Sequence, residues 1–163
     1  MVSGFKRFEG REWSTKYRGP LWVHATSKKP DPEEIEALEK AYEEHYASIG
    51  EDRPDFPQRY PTSAVIGRVD LIDVLTLSEY NDTLPDVLRE RTTASYQFIL
   101  RNPMILDMPL RMAGQPSIYK MPKEIALGAR PLLKRMPWSW WPPKKYRNLV
   151  IGSFDLYPEV HDT

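Results

Sequence analysis

The alternation of apolar and polar positions along the chain predicts mainly β-strands. In residues 4–13 aromatic residues and glycines are interspersed with charged residues, and residues 21–26 are β-branched and aromatic, so both stretches are typical of strands. Residues 63–77 form a long apolar run, which predicts a strand buried on both faces for part of its length, with a bulge or bend at Gly67. Residues 95–103 predict a further strand that ends at its Asn-Pro pair.

Two segments carry helix signals. Asp31 is suited to cap a helix and Glu34 completes a capping box, so we expect a helix over residues 31–49, closed by a glycine. A second helix is expected to begin near Pro122. Pro131 should break or kink that helix, because proline cannot donate the backbone hydrogen bond of a helix interior.

The segments between these elements complete the predicted fold. Residues 78–92 are polar and predict a loop holding a short helix, and residues 104–122 predict two short strands around a turn at Gly114. Antiparallel strands with two helices indicate an α+β fold, arranged as a small β-barrel with flanking helices. A chain of 163 residues fits a single domain of this kind.

Composition narrows the possible chemistry. The chain has no cysteine, which excludes disulfides, thiolate metal sites and a cysteine nucleophile, and suits a reducing nuclear or cytoplasmic compartment. His24, His45 and His161 lie far apart, and no glycine-rich phosphate loop or paired-carboxylate site stands out, so we expect neither a metal nor a cofactor. No stretch approaches the ~20 apolar residues of a membrane-spanning helix, so no membrane partner is expected.

The formal net charge of zero hides a strong segregation of charge along the chain. Residues 1–30 carry a net +5, residues 31–56 carry −8, and residues 101–163 carry +5. A local basic face can bind the phosphates of a polyanion while an acidic helix faces elsewhere. Charge alone does not separate this interpretation from ordinary solubility patterning.

The opening segment carries the motif Gly4-x-Lys6-x-x-Glu9-x-Arg11. It matches the GxKxxExR signature of the ASCH domain, the activating signal cointegrator homology family. Longer blocks in the same order are similar to the eukaryotic members of this family: YRGPLWVHATSKKPDPEEI, YPTSAVIGRVDLIDVL, FILRNP and PSIYKMP. The resemblance covers roughly residues 3–135, which makes it far more specific than the short motif.

This resemblance implies a PUA-like small β-barrel, a known RNA-binding architecture, with a cleft lined by the signature residues. It implies an RNA- or DNA-binding module of a transcription-coactivator type of protein, with protein partners in a helicase-containing complex. Eukaryotic members carry a strand and a helix before the motif, so we expect the N-terminal strand to be missing here and a sheet edge to be exposed. We expect the ASCH domain over residues 1–135 and a Pro/Trp-rich basic tail over residues 136–163.

Lys6, Glu9 and Arg11 are the central candidates for the binding site. The two-residue period of a strand places Lys6 on the face opposite Glu9 and Arg11, but a bulge at Gly10 would bring all three into one cleft. There Lys6 and Arg11 would engage phosphate or base, and Glu9 would orient them. The alternative is an ion pair within the sheet on a solvated face.

Further candidates flank this motif. Trp13 is suited either to stack on a base or to pack in the core. Arg18, Lys28 and Lys29 would form a basic rim for the nucleic-acid backbone. His24 lies in an apolar strand, where a hydrogen-bonded core histidine is the favoured interpretation.

Two other functions stay open. Some small bacterial relatives deacetylate N4-acetylcytidine or cleave RNA, and a hydrolase of this kind would make Lys6 and Glu9 catalytic. The deacetylating relatives use a Lys and a Thr of a GxKxxT pattern with a distant Glu. Here Lys6 matches the Lys, but Glu9 stands at the Thr position, so the hydroxyl that this chemistry needs is absent and we expect no catalysis. The third function is a protein-binding adaptor that uses the acidic helix 31–49 and the tail tryptophans.

Overall fold

The computed structural model describes residues 1–136, 150–151 and 154–155. In this part of the chain an antiparallel five-stranded sheet is combined with three helices, which confirms the predicted α+β class. The strands of this sheet are β1 (Phe8–Arg11), β2 (Gly19–Ala25), β3 (Ala64–Thr76), β4 (Tyr96–Arg111) and β5 (Leu133–Arg135). Two short strands, β6 (Val150–Ile151) and β7 (Phe154–Asp155), pair with each other. The predicted tail over residues 136–163 lies almost entirely outside the described residues.

Strand β4 organises the sheet, whose order is β1-β4-β3-β2 with β5 also paired to β4. One edge of β4 pairs with β3 along most of its length. The other edge pairs first with β1, at residues 96–99, and then with β5, at residues 104–106. Because β1 and β2 are the outer strands of this order, the sheet does not close on itself within the described residues.

The predicted end of the strand at Asn102-Pro103 is wrong, and so are the two short strands expected around Gly114. Strand β4 continues through the Asn-Pro pair to Arg111, and residues 112–122 contain no strand. Asn102 adopts a positive φ of 48°, and its side-chain amide donates a hydrogen bond to Asp70 at 2.7 Å. Asparagine tolerates this conformation, so the pair forms an irregularity within the strand instead of ending it.

The helices are α1 (Pro32–Ser48), α2 (Leu77–Thr83) and α3 (Lys123–Ala129). The predicted capping box of α1 is confirmed, because Asp31 caps the helix and Glu34 reaches back to the capping residue. Helix α1 buries Tyr42 and Tyr46 and leaves most of its acidic residues exposed. Helix α3 gives way to a short 3-10 turn that contains Pro131, as the sequence predicts.

The hydrophobic core occupies both faces of the sheet. Val69, Leu71, Phe98 and Leu100 form a cluster on one face, which we call the inner face. Two clusters on the opposite, outer face lie at different ends of the sheet: one contains Phe8 and Ile99, and the other contains Val65 and Leu106. The two faces follow from the alternation of β3 and β4, where successive side chains point to opposite sides.

The predicted irregularity at Gly67 is confirmed, and it gives a stability prediction. The register of β3 against β4 shifts between Val65 and Gly67, and a Cβ at Gly67 would lie 2.2 Å from the Met104 carbonyl oxygen. We therefore expect Gly67→Ala to lower the free energy of unfolding by about 1–3 kcal/mol or more, measured by urea denaturation. Gly128→Ala is the control, because Gly128 lies in α3 with open space around it, and alanine there should stabilise by up to about 1 kcal/mol. An unchanged Gly67→Ala variant would contradict the close approach.

Candidate functional site

The structure brings Lys6, Glu9 and Arg11 together, and we call these three residues the signature trio. Glu9 pairs with both cations: Oε2 lies 2.6 Å from Lys6 Nζ, and Oε1 lies 3.0 Å from Arg11 Nη2. The Glu9 side chain is 14 % exposed, whereas those of Lys6 and Arg11 are 32 % and 48 % exposed. One enclosed carboxylate therefore holds two partly exposed cations, which leaves the trio with a net charge of +1.

The trio forms without the bulge at Gly10 that was one hypothesis for bringing its members together. Strand β1 pairs with β4 in continuous register from Phe8 to Arg11. Glu9 and Arg11 are two residues apart in the strand and share one face, and Lys6 reaches Glu9 because it precedes the first residue of β1. Gly10 has a different role, since a Cβ there would lie 2.8 Å from the Ala94 Cβ in the loop that precedes β4.

Backbone contacts fix the segment that carries Lys6. The Tyr46 hydroxyl of α1 donates a hydrogen bond to the Phe5 carbonyl at 2.5 Å. The Arg7 N–H donates to Glu90 Oε2 at 2.8 Å, and the Arg7 carbonyl accepts from the Leu100 N–H at 3.1 Å. Lys6 therefore lies between Phe5 and Arg7, whose backbone atoms form hydrogen bonds to α1, to Glu90 and to β4.

Glu90 is the centre of a buried polar network behind the trio. Its carboxylate accepts hydrogen bonds from the Arg7 N–H and from the Tyr42 hydroxyl, each at 2.8 Å, and its own N–H donates to the Tyr80 hydroxyl at 2.8 Å. Burial raises the pKa of the Glu90 carboxyl, although the two hydrogen bonds and the charge of Lys6 oppose that shift. Burial, reinforced by Glu90, also raises the pKa of Tyr42.

Arg7 is an almost fully buried cation, 1 % exposed, between Lys6 and the core. Burial lowers the pKa of Arg7 to about 10, while the Tyr46 hydroxyl and Glu90 partly offset this. Arg7 stays protonated at neutral pH and compensates the charge of the Glu90 network. Its side chain therefore contributes to the structure behind the trio and is not presented to solvent.

Two clefts adjoin this region. One, of about 380 Å³, is lined by residues on both sides of Lys6, by α1, by residues 51–55 and by Met136. The other, of about 440 Å³, lies between α2 and residues 89–93. Both volumes fall in the range of small-ligand sites, and both clefts have mixed charge.

Trp13 contacts the core and stays near the trio. Its ring packs edge-on against Phe98 with ring centroids 5.2 Å apart, and it is half-buried beside the inner-face cluster. Phe98 is the cross-strand partner of Glu9, so Trp13 lies on the same face of the sheet as the trio. Part of the ring therefore packs in the core and part is exposed, and stacking of the exposed part on a base stays a prediction.

The structure does not bring Arg18 to the trio. Arg18 Nη2 lies 3.1 Å from Asp73 Oδ1, and Arg18 Nη1 donates to the Thr15 and Tyr17 carbonyls at 2.9 Å each. Arg18 precedes β2, which two strands separate from β1. With strands about 4.8 Å apart, this places Arg18 about 14 Å from the trio across the sheet.

Lys28 and Lys29 lie still further from the trio. Both are exposed in the connection between β2 and α1. The adjacent end of β2 pairs through β3 with residue 111 of β4, whereas the trio lies beside residues 96–98. At about 3.3 Å per residue, roughly 40 Å of strand separates the two positions. His24 Nε2 lies 2.6 Å from the Met112 carbonyl oxygen, as expected of a hydrogen-bonded histidine.

The sequence did not point to Arg7, Tyr42 or Glu90 as parts of the site. Glu90 lies in a polar segment without periodicity, which resembles any solvated loop, and Tyr42 is indistinguishable from the rest of the apolar stripe of α1. The one available signal was the position of Arg7 inside the motif. Among the described residues, no group of His, Cys, Asp or Glu is arranged to hold a metal ion. In the same part of the chain, no helix has the length and apolar character needed to cross a membrane.

Comparison with known proteins defines the class to which this fold and site belong. The family model of the ASCH domain matches residues 1–109, so the chain belongs to the ASCH domain family, whose fold is PUA-like. The chain is also 38 % identical over 130 residues to the proteins named activating signal cointegrator 1 from Mus musculus and from Homo sapiens. The match covers 80 % of this chain but only 22 % of either relative, so the chain corresponds to a small part of those proteins.

Proposed function

We propose that this ASCH domain is a non-catalytic nucleic-acid-binding module that binds through the signature trio. The observation that carries the proposal is the geometry of Glu9, which holds Lys6 Nζ and Arg11 Nη2 at 2.6 and 3.0 Å on one partly exposed surface. Both cations stay partly accessible while their positions are fixed. A fixed ammonium beside a fixed guanidinium suits phosphate oxygens, with arginine providing a planar fork and lysine a point charge.

Neighbouring features support the same ligand. The half-buried ring of Trp13 lies on the face of the trio, where an aromatic ring offers a stacking surface for a base. The trio itself carries a net charge of +1 on partly exposed side chains, which favours a polyanion at β1. The acidic helix α1 carries the opposite charge on its exposed residues and would repel the same ligand, which favours an approach from the side of β1.

The similarity to activating signal cointegrator 1 suggests the biological setting. We infer that the module belongs to a protein of the coactivator type that works in the nucleus, where nucleic acid and protein partners of a coactivator or helicase complex are available. Because the match covers 22 % of those relatives, this inference concerns the setting and not their whole activity. Lys28 and Lys29, which are exposed and distant from the trio, would then contact the backbone of a longer ligand.

One observation favours a second function, a hydrolase of modified nucleosides. Glu90 has a raised pKa and lies within electrostatic reach of Lys6, an arrangement typical of a carboxyl group that exchanges protons. Against it, both Glu90 oxygens are engaged by Arg7 and Tyr42, and Glu9 is held between two cations. Turnover of N4-acetylcytidine that Lys6→Gln abolishes would establish the hydrolase and overturn the non-catalytic assignment.

The proposed function is tested by fluorescence anisotropy with labelled single-stranded RNA, single-stranded DNA and duplex DNA. We expect saturable binding that weakens as salt is raised, because phosphate contacts release counterions. The salt dependence also gives the number of phosphate contacts, since for a single strand each contact steepens the slope of log K against log salt by about 0.7. A folded protein that binds none of the three at low salt would contradict the proposal and favour the adaptor function.

A further inference from the structure

A row of side chains crosses four strands on the outer face of the sheet. In the register of the sheet Trp22 of β2 pairs with Arg68 of β3, Arg68 with Met104 of β4, and Met104 with Arg135 of β5. Direct cross-strand partners point to the same face. We call Trp22, Arg68 and Arg135 the outer row; Arg101 lies on the same face, on the neighbouring rung opposite Asp70.

The two arginines of the outer row are not neutralised by neighbouring carboxylates. The Arg68 guanidinium lies over the Trp22 ring, 5.9 Å from its centroid, and its enclosed Nε has no hydrogen-bond partner in the described part of the chain. Arg135 is exposed, and neither arginine forms an ion pair with a described residue. Asp70, the nearest acidic side chain along β3 on this face, accepts a hydrogen bond from Asn102. The row therefore presents two cations that form no ion pair with a described residue, beside an aromatic ring, and Asp70 is the nearest carboxylate on this face.

The outer row and the signature trio lie on opposite faces of the sheet. Glu9 is the cross-strand partner of Phe98, which packs with Val69 in the inner-face cluster. Arg68 directly precedes Val69 in β3 and therefore points to the other face. A ligand that touches both surfaces must pass around an edge of the sheet.

The edge formed by β1 and β5 connects the two surfaces. The Arg7 carbonyl accepts from the Leu100 N–H, and the Met136 N–H donates to the Pro103 carbonyl, so the start of β1 and the end of β5 meet along the same edge of β4. The two contacts are three residues apart, about 10 Å along the strand. Gly4 lies against Pro103 and Met136 at this junction, because a Cβ there would lie 3.5 Å and 3.8 Å from them. Lys6 and Arg135 therefore flank one short stretch of edge.

We propose that the outer row is a second contact surface for the same nucleic-acid ligand, and that the ligand is a single strand that runs from the trio around the β1–β5 edge. This inference rests on the proposed function and adds the path and the form of the ligand. Arg68 and Arg135 are separated by one strand, about 10 Å, and bind successive parts of the phosphate backbone. Trp22, whose ring packs partly against the cluster of Val65 and Leu106, offers the exposed part of that ring to a base at the end of the path.

Because the ligand passes from one face of the sheet to the other, it must be single-stranded. Duplex DNA has a persistence length of about 150 base pairs, so it cannot turn around the edge of a single sheet. A single strand has no such stiffness. The stretch along the edge and the distance from Arg135 to Arg68 together cover about 20 Å before the turn around the edge is counted, so the path needs at least about six nucleotides at the 3.4 Å spacing of a stacked strand.

The test compares single-stranded RNA of four and of twelve nucleotides, and a twelve-base-pair duplex, by fluorescence anisotropy at several salt concentrations. We expect Arg68→Gln with Arg135→Gln to weaken binding of the twelve-nucleotide strand about 10-fold and to lower its salt slope by about 1.4, the value for two phosphates. Binding of the four-nucleotide strand should stay unchanged, because it occupies the trio. Lys40→Gln with Arg59→Gln is the matched control, because it removes two charges from exposed residues that lie outside the sheet.

Each outcome distinguishes this inference from the proposed function. If the outer-row variant binds the twelve-nucleotide strand like wild type while substitution of the trio weakens binding, the outer row is not a contact surface and the proposed function stands. Equal binding of duplex and single strand would overturn the path around the edge. If wild type binds no strand at all, the proposed function fails as well. If circular dichroism shows that the double variant is unfolded, the single variant Arg135→Gln tests the contact surface instead. Its salt slope should then fall by about 0.7.

Discussion

Replacing Lys6 and Arg11 together by glutamine is expected to weaken binding of single-stranded RNA about 100-fold. Each cation forms charge-assisted hydrogen bonds to phosphate, and the loss of one costs about 1.4 kcal/mol, a factor of ten in affinity. The salt slope should fall by about 1.4, because two phosphate contacts are removed. Fluorescence anisotropy across a salt series measures both quantities, after circular dichroism has shown that the variant is folded.

A matched pair of substitutions controls for net charge. Lys40→Gln with Arg59→Gln removes the same two charges from exposed positions, in α1 and in the segment before β3. We expect this control to change affinity less than 3-fold, since both side chains are exposed, neither pairs with the trio, and exposed charges are screened by salt. Equal losses in the two variants would contradict a local site, because general electrostatic attraction would then account for binding.

Replacing Glu90 by glutamine is expected to change how stability depends on pH. The pKa of the Glu90 carboxyl is raised in the folded protein above its usual 4.5, chiefly by burial. The Glu90 carboxyl therefore binds its proton more tightly in the folded state than in the unfolded state. The stabilisation that this protonation provides is complete below pH 4.5 and is lost as pH rises through the folded pKa. Glutamine resembles the protonated carboxyl and does not titrate.

The free energy of unfolding of wild type, minus that of Glu90→Gln, should therefore fall as pH rises above 4.5. Urea denaturation of both proteins at a series of pH values measures this difference, and other titrating groups largely cancel in it. Tyr42→Phe serves as a second variant, because it removes the hydroxyl that donates to Glu90 while leaving the carboxyl in place. For Tyr42→Phe the wild-type minus variant difference should rise with pH, because loss of the hydrogen bond raises the Glu90 pKa further. A wild-type minus Glu90→Gln difference that is constant or rises with pH would contradict burial as the main influence on Glu90.

The trio was accessible to sequence analysis because its members lie within six residues of one another. Because the three residues are so close in sequence, the Glu9 side chain can reach Lys6 and Arg11 whether or not the strand is bulged. In the structure the strand is regular and Glu9 pairs with both. The capping box of α1 was predictable for the same reason, since it depends on residues three apart. Local signals of this kind can be read from the sequence without knowledge of the tertiary structure.

Features that depend on distant partners were not predictable. Strand β4 passes through Asn102-Pro103 because Asp70 of β3 and Met136 stabilise that irregularity, and neither residue is near it in sequence. Glu90 was missed because its burial depends on Arg7 and on Tyr42, which is 48 positions away. The distance of Lys28 from the trio likewise follows from strand order, which a list of basic residues does not contain.

The most direct test of the central claim is an NMR titration of ¹⁵N-labelled protein with an unlabelled twelve-nucleotide single-stranded RNA. The signature trio as a nucleic-acid interface predicts saturable shifts of the Lys6, Glu9 and Arg11 amides and of the Trp13 indole N–H. The proposed path of the strand around the β1–β5 edge predicts shifts of the Trp22 indole N–H and of the Arg135 amide in the same titration. Shifts confined to α1, or no shifts at concentrations where anisotropy reports binding, would contradict the account and place the nucleic-acid interface elsewhere.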